Sequence, residues 1–557
     1  MHRDRLCDPA CGSGNFLIVA YRELRRIETD VIVAIREREE NSNWALDISW
    51  EQKLSIGQFY GIELNWWPAK IAETAMFLVD HQANRELADR VGMAPERLPI
   101  SVTAHINHGN ALRLDWSEVL PNVEGNTYVF GNPPFLGDHT RTQEQLADLQ
   151  RVWGGIKTSR LDFVTGWHAQ ALNLFNDRRG CFAFVTTNSI VQGDQPARLF
   201  GPIFAAGWRI RFAHRTFAWD SEAPGKAAVH CVIVGFDRLY SPRPRLWDYT
   251  DIKGDPTEIS VERAINAYLV DGPNVLVSKR SVPLSASLPE VNYGSKASDG
   301  GYLVVRESEY AEVLKDPIAA KYVRPYIGSD ELINGKDRWC LWLVDVEPRD
   351  LSKSALLRGR IAGVRAERAK SKAKTTREYP HHHLFRQIGL ISDQPIVGLP
   401  EVSSSNRRYL PVAELDPGVV ISNKVYGAVD PDGFLFAIAS SSMFITWMKT
   451  VGGRLKSDVS FSSTITWNNF ALPELDQPVR QRIIDAGKKV LAARDLHPER
   501  SLAEHYNPFA MGPALIKAHD ALDKEVDRAM GARRKLTTER QRQELLFENY
   551  ARMTQNA

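Results

Sequence analysis

Asn132-Pro133-Pro134-Phe135 combines groups that can act together on an exocyclic amine. The asparagine side-chain oxygen and the Pro133 carbonyl are both acceptors, so one amino group can donate to both and turn its lone pair toward an electrophile. The prolines stiffen the loop and remove a competing N–H donor. Phe135 offers a face for stacking a base, as enzymes acting on extruded bases require. By average residue usage, the tetrapeptide would arise by chance on the order of once in several hundred chains of this length. Upstream, Asp8-Pro9-Ala10-Cys11-Gly12-Ser13-Gly14-Asn15-Phe16 reads as a strand end, a glycine turn and a helix start. A helix N-terminus behind such a turn suits a carboxylate or phosphate. The dinucleotide fingerprint is incomplete, because Leu17 stands where a third glycine or alanine belongs. Glu63 ends the apolar run Gln58–Leu64, where a carboxylate can accept bonds from ribose hydroxyls. Asn110-Ala111 follows the next strand and can face a nucleobase edge. Each could be an ordinary polar residue at a strand end. In this order they make up a nucleoside-binding sheet.

Positioning these residues takes alternating strands and helices. Phe16, Val19, Ala20, Leu24 and Ile27 have helical spacing, and Pro68 opens a second helix through Ile71, Ala75 and Leu78. Residues 1–245 are therefore expected to form an α/β, doubly wound sheet. The charged stretch Glu28 to Ser55 reads as a helical insertion with a solvated face. The whole chain has 557 residues, 43% apolar and 25% charged, with a net charge of +2. That excludes disordered and disulfide-stapled classes and leaves any basic surface local. No apolar run is long enough to span a bilayer. Five scattered cysteines and the lack of a signal-peptide core lead to an expectation of a cytoplasmic protein without membrane association. His381-His382-His383 lacks companions at ligand spacing, so no metal is expected.

With these motifs in order, the chain resembles the gamma-class, S-adenosylmethionine-dependent DNA adenine-N6 methyltransferases. The resemblance implies a class I methyltransferase fold with S-adenosyl-L-methionine as cofactor. It assigns Asp8, Pro9, Ala10, Cys11, Gly12, Ser13, Gly14, Asn15 and Phe16 to the methionine part, Glu63 to the ribose, and Asn110 and Ala111 to the adenine. It makes Asn132, Pro133, Pro134 and Phe135 catalytic, with Asn132 also beside the cofactor. Leu161-Asp162-Phe163 and the segment Phe217 to Phe236 are further matches, with Phe217 or Trp219 as the other wall of a flipped-base pocket with Phe135. Arg324 to Leu343, Ser404 to Tyr409 and Asn507 to Met511 resemble the Mme-type (type IIL) restriction–modification enzymes, so the similarity runs from about residue 4 to residue 550.

The resemblance sets further expectations. Residues 246–274 read as a linker, 275–475 as a mixed α/β target-recognition domain for double-stranded DNA, and 476–557 as a helical C-terminal region. Between Leu351 and Arg386 ten Lys/Arg stand against two Glu. Lys370, Lys372, Lys374 and Arg377 are therefore candidates for phosphate contact. Arg407 and Arg408, or Arg454 and Lys456, could meet guanine edges or phosphates. In the family a nuclease, a helical spacer and another cofactor motif precede the methyltransferase. The expectation is that a separately encoded nuclease/spacer or another defence-system subunit supplies that part, or that the chain is an inactive or partner-dependent DNA-binding specificity fragment. Methylation of RNA or of a protein glutamine is a further alternative, against which the long recognition region argues.

Overall fold

The computed structural model describes residues 3–38, 51–92, 103–219, 229–239, 242–455 and 458–555. The chain divides into two compact units, residues 1–191 with 195–276, and residues 192–194 with 277–557.

Among the described residues the first unit is built on nine strands: β1 (Arg5–Asp8), β2 (Phe59–Glu63), β3 (His105–His108), β4 (Thr127–Gly131), β5 (Gly180–Thr187), β6 (Arg209–Trp219), β7 (Val229–Asp237), β8 (Arg245–Asp248) and β9 (Thr257–Ile259). Their order is β3-β2-β1-β4-β5-β7-β6-β8-β9. Strands β1 to β5 pair in parallel, and β7 inserts antiparallel between β5 and β6. Strand order reverses between β1 and β4, which opens a crevice at their carboxyl ends where open α/β sheets bind ligands.

Helices α1 (Asn15–Arg38) and α2 (Trp66–Val91) bury Leu17, Tyr21, Met76 and Val79 with Phe59. Three further helices, α3 (Trp116–Val119), α4 (Gln143–Trp153) and α5 (Thr165–Leu174), lie between β3 and β5, and α6 (Gln195–Ala205) leads to β6. An aromatic core sits against β5: Phe182 stacks on Phe236 at 4.7 Å and meets Trp208 edge-on at 4.8 Å. His168 is enclosed there, and burial pushes its imidazole down to about 4, so it packs as a neutral ring.

Two expectations are corrected. The described part of the stretch from Glu28 is no separate insertion but continues α1, and it is solvated on one side only: Glu37 and Arg38 are exposed, Glu28 and Arg36 buried. Glu28 is buried, and its carboxylate accepts the backbone N–H groups of Lys53 at 2.6 Å and Leu54 at 2.9 Å, tying the middle of α1 to the approach to β2. Residues 39–50 of that stretch, including Glu39 and Glu40, lie outside the described residues. Residues 246–274 do not form a linker: they add most of β8 and all of β9 to the sheet and bury Ile265, Ala267 and Leu269. Pro242, Pro244, Gly254 and Pro256, residues that also punctuate linkers, here flank β8 and β9.

Among the described residues the second unit carries three small sheets. One orders Asn292–Tyr293, Val425–Val429, Ile396–Pro400 and Ala413–Leu415; another orders Val304–Arg306, Arg338–Leu341, Val323–Ile327 and Val420–Ile421. The third joins Val402–Ser403, Asp458–Ser460 and Gly453–Leu455. Helices Phe434–Ala439 and Ser442–Val451 are almost wholly buried. Helices Gln477–Arg494 and Pro513–Ala529 turn Ile483, Val490, Leu515 and Leu522 inward, as their spacing predicts, and Glu539–Gln555 follows. No helix among the described residues is long and apolar enough to cross a membrane.

Candidate active site

The glycine turn closes against β2. The Cys11 N–H donates to the Ile62 carbonyl at 3.1 Å, and the Gly12 N–H donates to Glu63 Oε2 at 3.1 Å. Gly12 and Gly14 have φ of +53° and +89°, and a Cβ on Gly14 would stand 3.1 Å from the Ala72 Cβ, so the turn needs glycine both for its backbone and for the approach of α2. The other Glu63 oxygen accepts from the Asn65 backbone at 2.8 Å. The carboxylate is thereby fixed at the carboxyl end of β2.

Asp8 lies beneath the turn, 1% exposed, with Oδ1 accepting the Ala10 N–H at 3.0 Å. Burial pushes its carboxyl up to about 7, the Ala10 bond opposes the rise, and the Glu63 charge adds to it. Gly131, at the end of β4, has no alternative, since a Cβ there would collide with Asp8 Oδ1. Cys11 is buried against Gly61, and burial raises its thiol far above the ordinary range, which keeps it protonated.

A cavity of about 640 Å³ opens at this edge. Pro9, Ala10, Glu63, Asn110, Ala111, Asn132 and Pro134 all line it, so residues from four strand ends, separated by up to 125 positions, meet in one space. The Asn132 side-chain oxygen is buried and has no hydrogen-bond partner among the described residues. A buried carbonyl oxygen left unpaired costs about 1–3 kcal/mol. The loop after the tetrapeptide is pinned by Asp162, whose Oδ1 accepts the Leu136 N–H at 3.1 Å, and by the Phe163 N–H on the Leu136 carbonyl at 3.0 Å.

Other residues expected at the site lie around it. Asp8, Cys11, Gly12, Ser13, Gly14, Asn15 and Phe16 form the strand end, the turn and the first residues of α1, outside the cavity lining. Pro133 is buried and Phe135 half-buried, and neither lines the cavity. Phe217 and Trp219 stand near the carboxyl end of β6, at the sheet edge that also carries Asn132; Phe217 stacks on Tyr249 at 5.3 Å. Neither lines the cavity, and residues 220–228 of the segment Phe217 to Phe236 lie outside the described residues.

Sequence reasoning missed the outer wall. Asp148 of α4 is 2% exposed; it accepts Asn110 Nδ2 at 3.0 Å and both Arg113 Nε and Nη2, at 2.8 and 2.9 Å. The Leu112 N–H donates to Asn110 Oδ1 at 2.9 Å, so the Asn110 amide is held one way round. Trp167 of α5 donates its indole N–H to the Pro9 carbonyl at 3.0 Å and lines the cavity. Glu144 and Asp148 share one face of α4, and that i,i+4 acidic pair just after the tetrapeptide was the available signal.

In the second unit Lys370 pairs with Glu367 at 3.1 Å, Lys372 and Lys374 are exposed, and Arg377 donates to the Ser371 carbonyl at 2.8 Å. Arg407 is half-buried, which lowers its guanidinium from the usual range, while Arg408 pairs with Asp520 at 2.6 Å. Arg454 is held against the Lys449 carbonyl, and Lys456 lies outside the described residues.

Comparison with known proteins finds matches along almost the whole chain. Residues 1–248 match the family described as MmeI, DNA-methyltransferase domain, residues 271–474 the MmeI target recognition domain, and residues 476–557 the MmeI C-terminal domain. The chain is 35% identical over 556 residues to DNA methyltransferase A of Bacillus subtilis (strain 168), a match covering 98% of this chain and 61% of that protein. It therefore spans somewhat under two thirds of that relative's length. The solved structure of the type IIL restriction-modification enzyme MmeI in complex with DNA matches with a TM-score of 0.84 at 38% identity, covering 99% of this chain and 73% of that one.

Proposed function

The chain belongs to the MmeI family of DNA methyltransferases, and from that premise we propose that it transfers a methyl group from S-adenosylmethionine to the N6 amino group of adenine in duplex DNA, in a restriction–modification setting. The observation that carries this reading is the buried, unpartnered Asn132 oxygen on the wall of a cavity that also holds Glu63 and Asn110.

The residues present fit the cofactor. The Glu63 carboxylate suits a ribose diol, the glycine turn suits the amino-acid end, and the Asn110 oxygen suits an exocyclic amine on the adenine. A cavity of about 640 Å³ falls within the roughly 300–1,000 Å³ range of clefts that hold ligands of this size. When bound, S-adenosylmethionine supplies a methyl group on a cationic sulfur, so transfer to an amine needs no covalent enzyme intermediate. Cys11, buried and protonated, has no part in it.

The target adenine is extruded from the duplex and stacks on Phe135. Asn132 Oδ1 accepts one N6–H and the Pro133 carbonyl the other. These bonds draw density onto nitrogen and aim its lone pair at the methyl group. The Asp162 bond to Leu136 keeps the loop in place while this happens, and the proton shed by the methylated amine leaves to water.

The test titrates wild type and Asn132→Ala with S-adenosylmethionine, then measures methyl incorporation into unmodified duplex DNA. Both bind cofactor, and the variant loses about a hundred- to a thousandfold in transfer, the scale set by removing one preorganised polar group. Retained transfer by the variant removes the asparagine from the mechanism. Absence of cofactor binding by the wild type replaces this reading with that of a partner-dependent specificity fragment.

A further inference from the structure

The C-terminal helices enclose a second large cavity, of about 860 Å³, that the methyltransferase reading does not use. It lies within the second unit, among helices Ser442–Val451, Pro513–Ala529 and Glu539–Gln555 and the segment joining the last two. Its acidic groups are already engaged. Asp523 accepts the Ser442 N–H at 2.7 Å and the Tyr409 hydroxyl at 3.2 Å, while Asp527 takes Arg542 at 2.8 and 3.0 Å.

The rim is different. Arg533, Arg534 and Lys535 are consecutive and exposed, and Lys524 and Arg528 stand one helical turn apart. Lys524, Arg533, Arg534 and Lys535 have no carboxylate within ion-pair distance among the described residues. Asp520, Asp523, Asp527 and Glu539 line the same cavity and Arg528 pairs with Glu525 at 3.5 Å, so the unpaired part of the rim is Lys524 with the consecutive Arg533, Arg534 and Lys535.

Nor does this loop hang free. Gly531 turns it at φ +104°, the Ala532 N–H donates to the Asp527 carbonyl at 2.9 Å, Asn549 Nδ2 donates to the Met530 carbonyl at 2.9 Å, and Leu536 is buried. The cations are thus presented from a backbone fixed at both ends, which lowers the ordering cost of engaging a ligand. Lys449, on the inner wall, is pushed down from the usual ammonium range mainly by burial, with the Glu539 charge opposing the shift and the Arg454 charge adding to it.

We infer that this basic rim is a second, sequence-independent DNA contact, in which Lys524, Arg528, Arg533, Arg534 and Lys535 engage backbone phosphates of the duplex. The inference rests on the DNA reading above. It assigns the C-terminal helices a part in holding the duplex, separate from base reading and from the cofactor cavity.

The experiment compares the full chain with the triple variant Arg533→Gln/Arg534→Gln/Lys535→Gln, and with Lys524→Glu/Arg528→Glu on the neighbouring helix. Affinity for a duplex of arbitrary sequence is read by fluorescence anisotropy across a salt series, with cofactor affinity and thermal midpoint as controls. Each lost phosphate contact reduces the magnitude of the slope of log K against log salt by about 0.9. The triple variant is expected to reduce it by about two to three and to weaken binding at least about tenfold at low salt. The charge-reversed pair weakens it further, and both leave cofactor affinity unchanged. A wild type that binds DNA while both variants keep its slope and affinity overturns this inference alone. A wild type with no DNA affinity overturns it together with the reading on which it rests.

Discussion

Replacing Asp148 by asparagine isolates what the α4 carboxylate does for the cofactor wall. The Asn110 amide is locked by Asp148 on its nitrogen at 3.0 Å and by the Leu112 N–H on its oxygen at 2.9 Å. That leaves one oxygen lone pair for an amine donor. Asp148→Asn keeps the shape but removes the charge and puts an NH2 group among Asn110 and Arg113, which are themselves donors. A hydrogen bond to a charged group is worth about 1.5–3 kcal/mol, so cofactor affinity should fall roughly ten- to a hundredfold. The informative assay is calorimetric titration with S-adenosylhomocysteine and with its inosine counterpart, whose 6-oxo group accepts where the amino group donates. Wild type prefers the amino compound; the variant, its Asn110 amide free to turn over, loses most of that preference. Unchanged affinity and discrimination would refute the reasoning. So would an equal loss for both ligands, because that is what general disorder of the wall produces.

Asp8 makes stability depend on pH. Its carboxyl is raised from 3.8 to about 7 in the fold, so the folded state holds the proton more tightly than the unfolded chain. Its contribution is therefore present below pH 3.8 and lost as pH rises to about 7, a change of about 4 kcal/mol for this group. Asp8→Asn, which retains an acceptor for Ala10, should show a smaller fall in denaturation midpoint between pH 5 and pH 8; identical profiles would contradict the assignment. Arg368, 1% exposed, donates to the carbonyls of Ser298, His381, Ala297 and Leu384 at 2.7–3.0 Å. Arg368→Met strands these acceptors and should cost about 3–5 kcal/mol, read as faster hydrogen exchange in helix Ala355–Ala369; wild-type protection would show that water replaces the guanidinium without loss.

The residues most legible in the sequence are those at strand ends. Asn132, Glu63 and the glycine turn each sit where a local apolar run stops, so spacing alone puts them at one edge of a parallel sheet. The resemblance then supplied their order and roles. Asp148 was illegible because its function depends on Arg113 and Asn110, 35 and 38 residues away, approaching a helix that reads as amphipathic. Arg368 was hidden for the opposite reason. In a run of ten basic residues it reads as one more solvated charge, and only the fold reveals the carbonyls around it. The strands in 246–274 were masked by Pro and Gly, which mark sheet-edge turns as readily as linkers.

The central claim is that the chain methylates adenine at N6, and the most direct test is the identity of the product. Wild-type chain is incubated with unmodified duplex DNA and methyl-labelled S-adenosylmethionine, and the DNA is digested to nucleosides for mass spectrometry. The account predicts label in N6-methyldeoxyadenosine, formed about a hundred- to a thousandfold more slowly by Asn132→Ala. Label on cytosine, or cofactor binding without any methyl reaching the DNA, would contradict it.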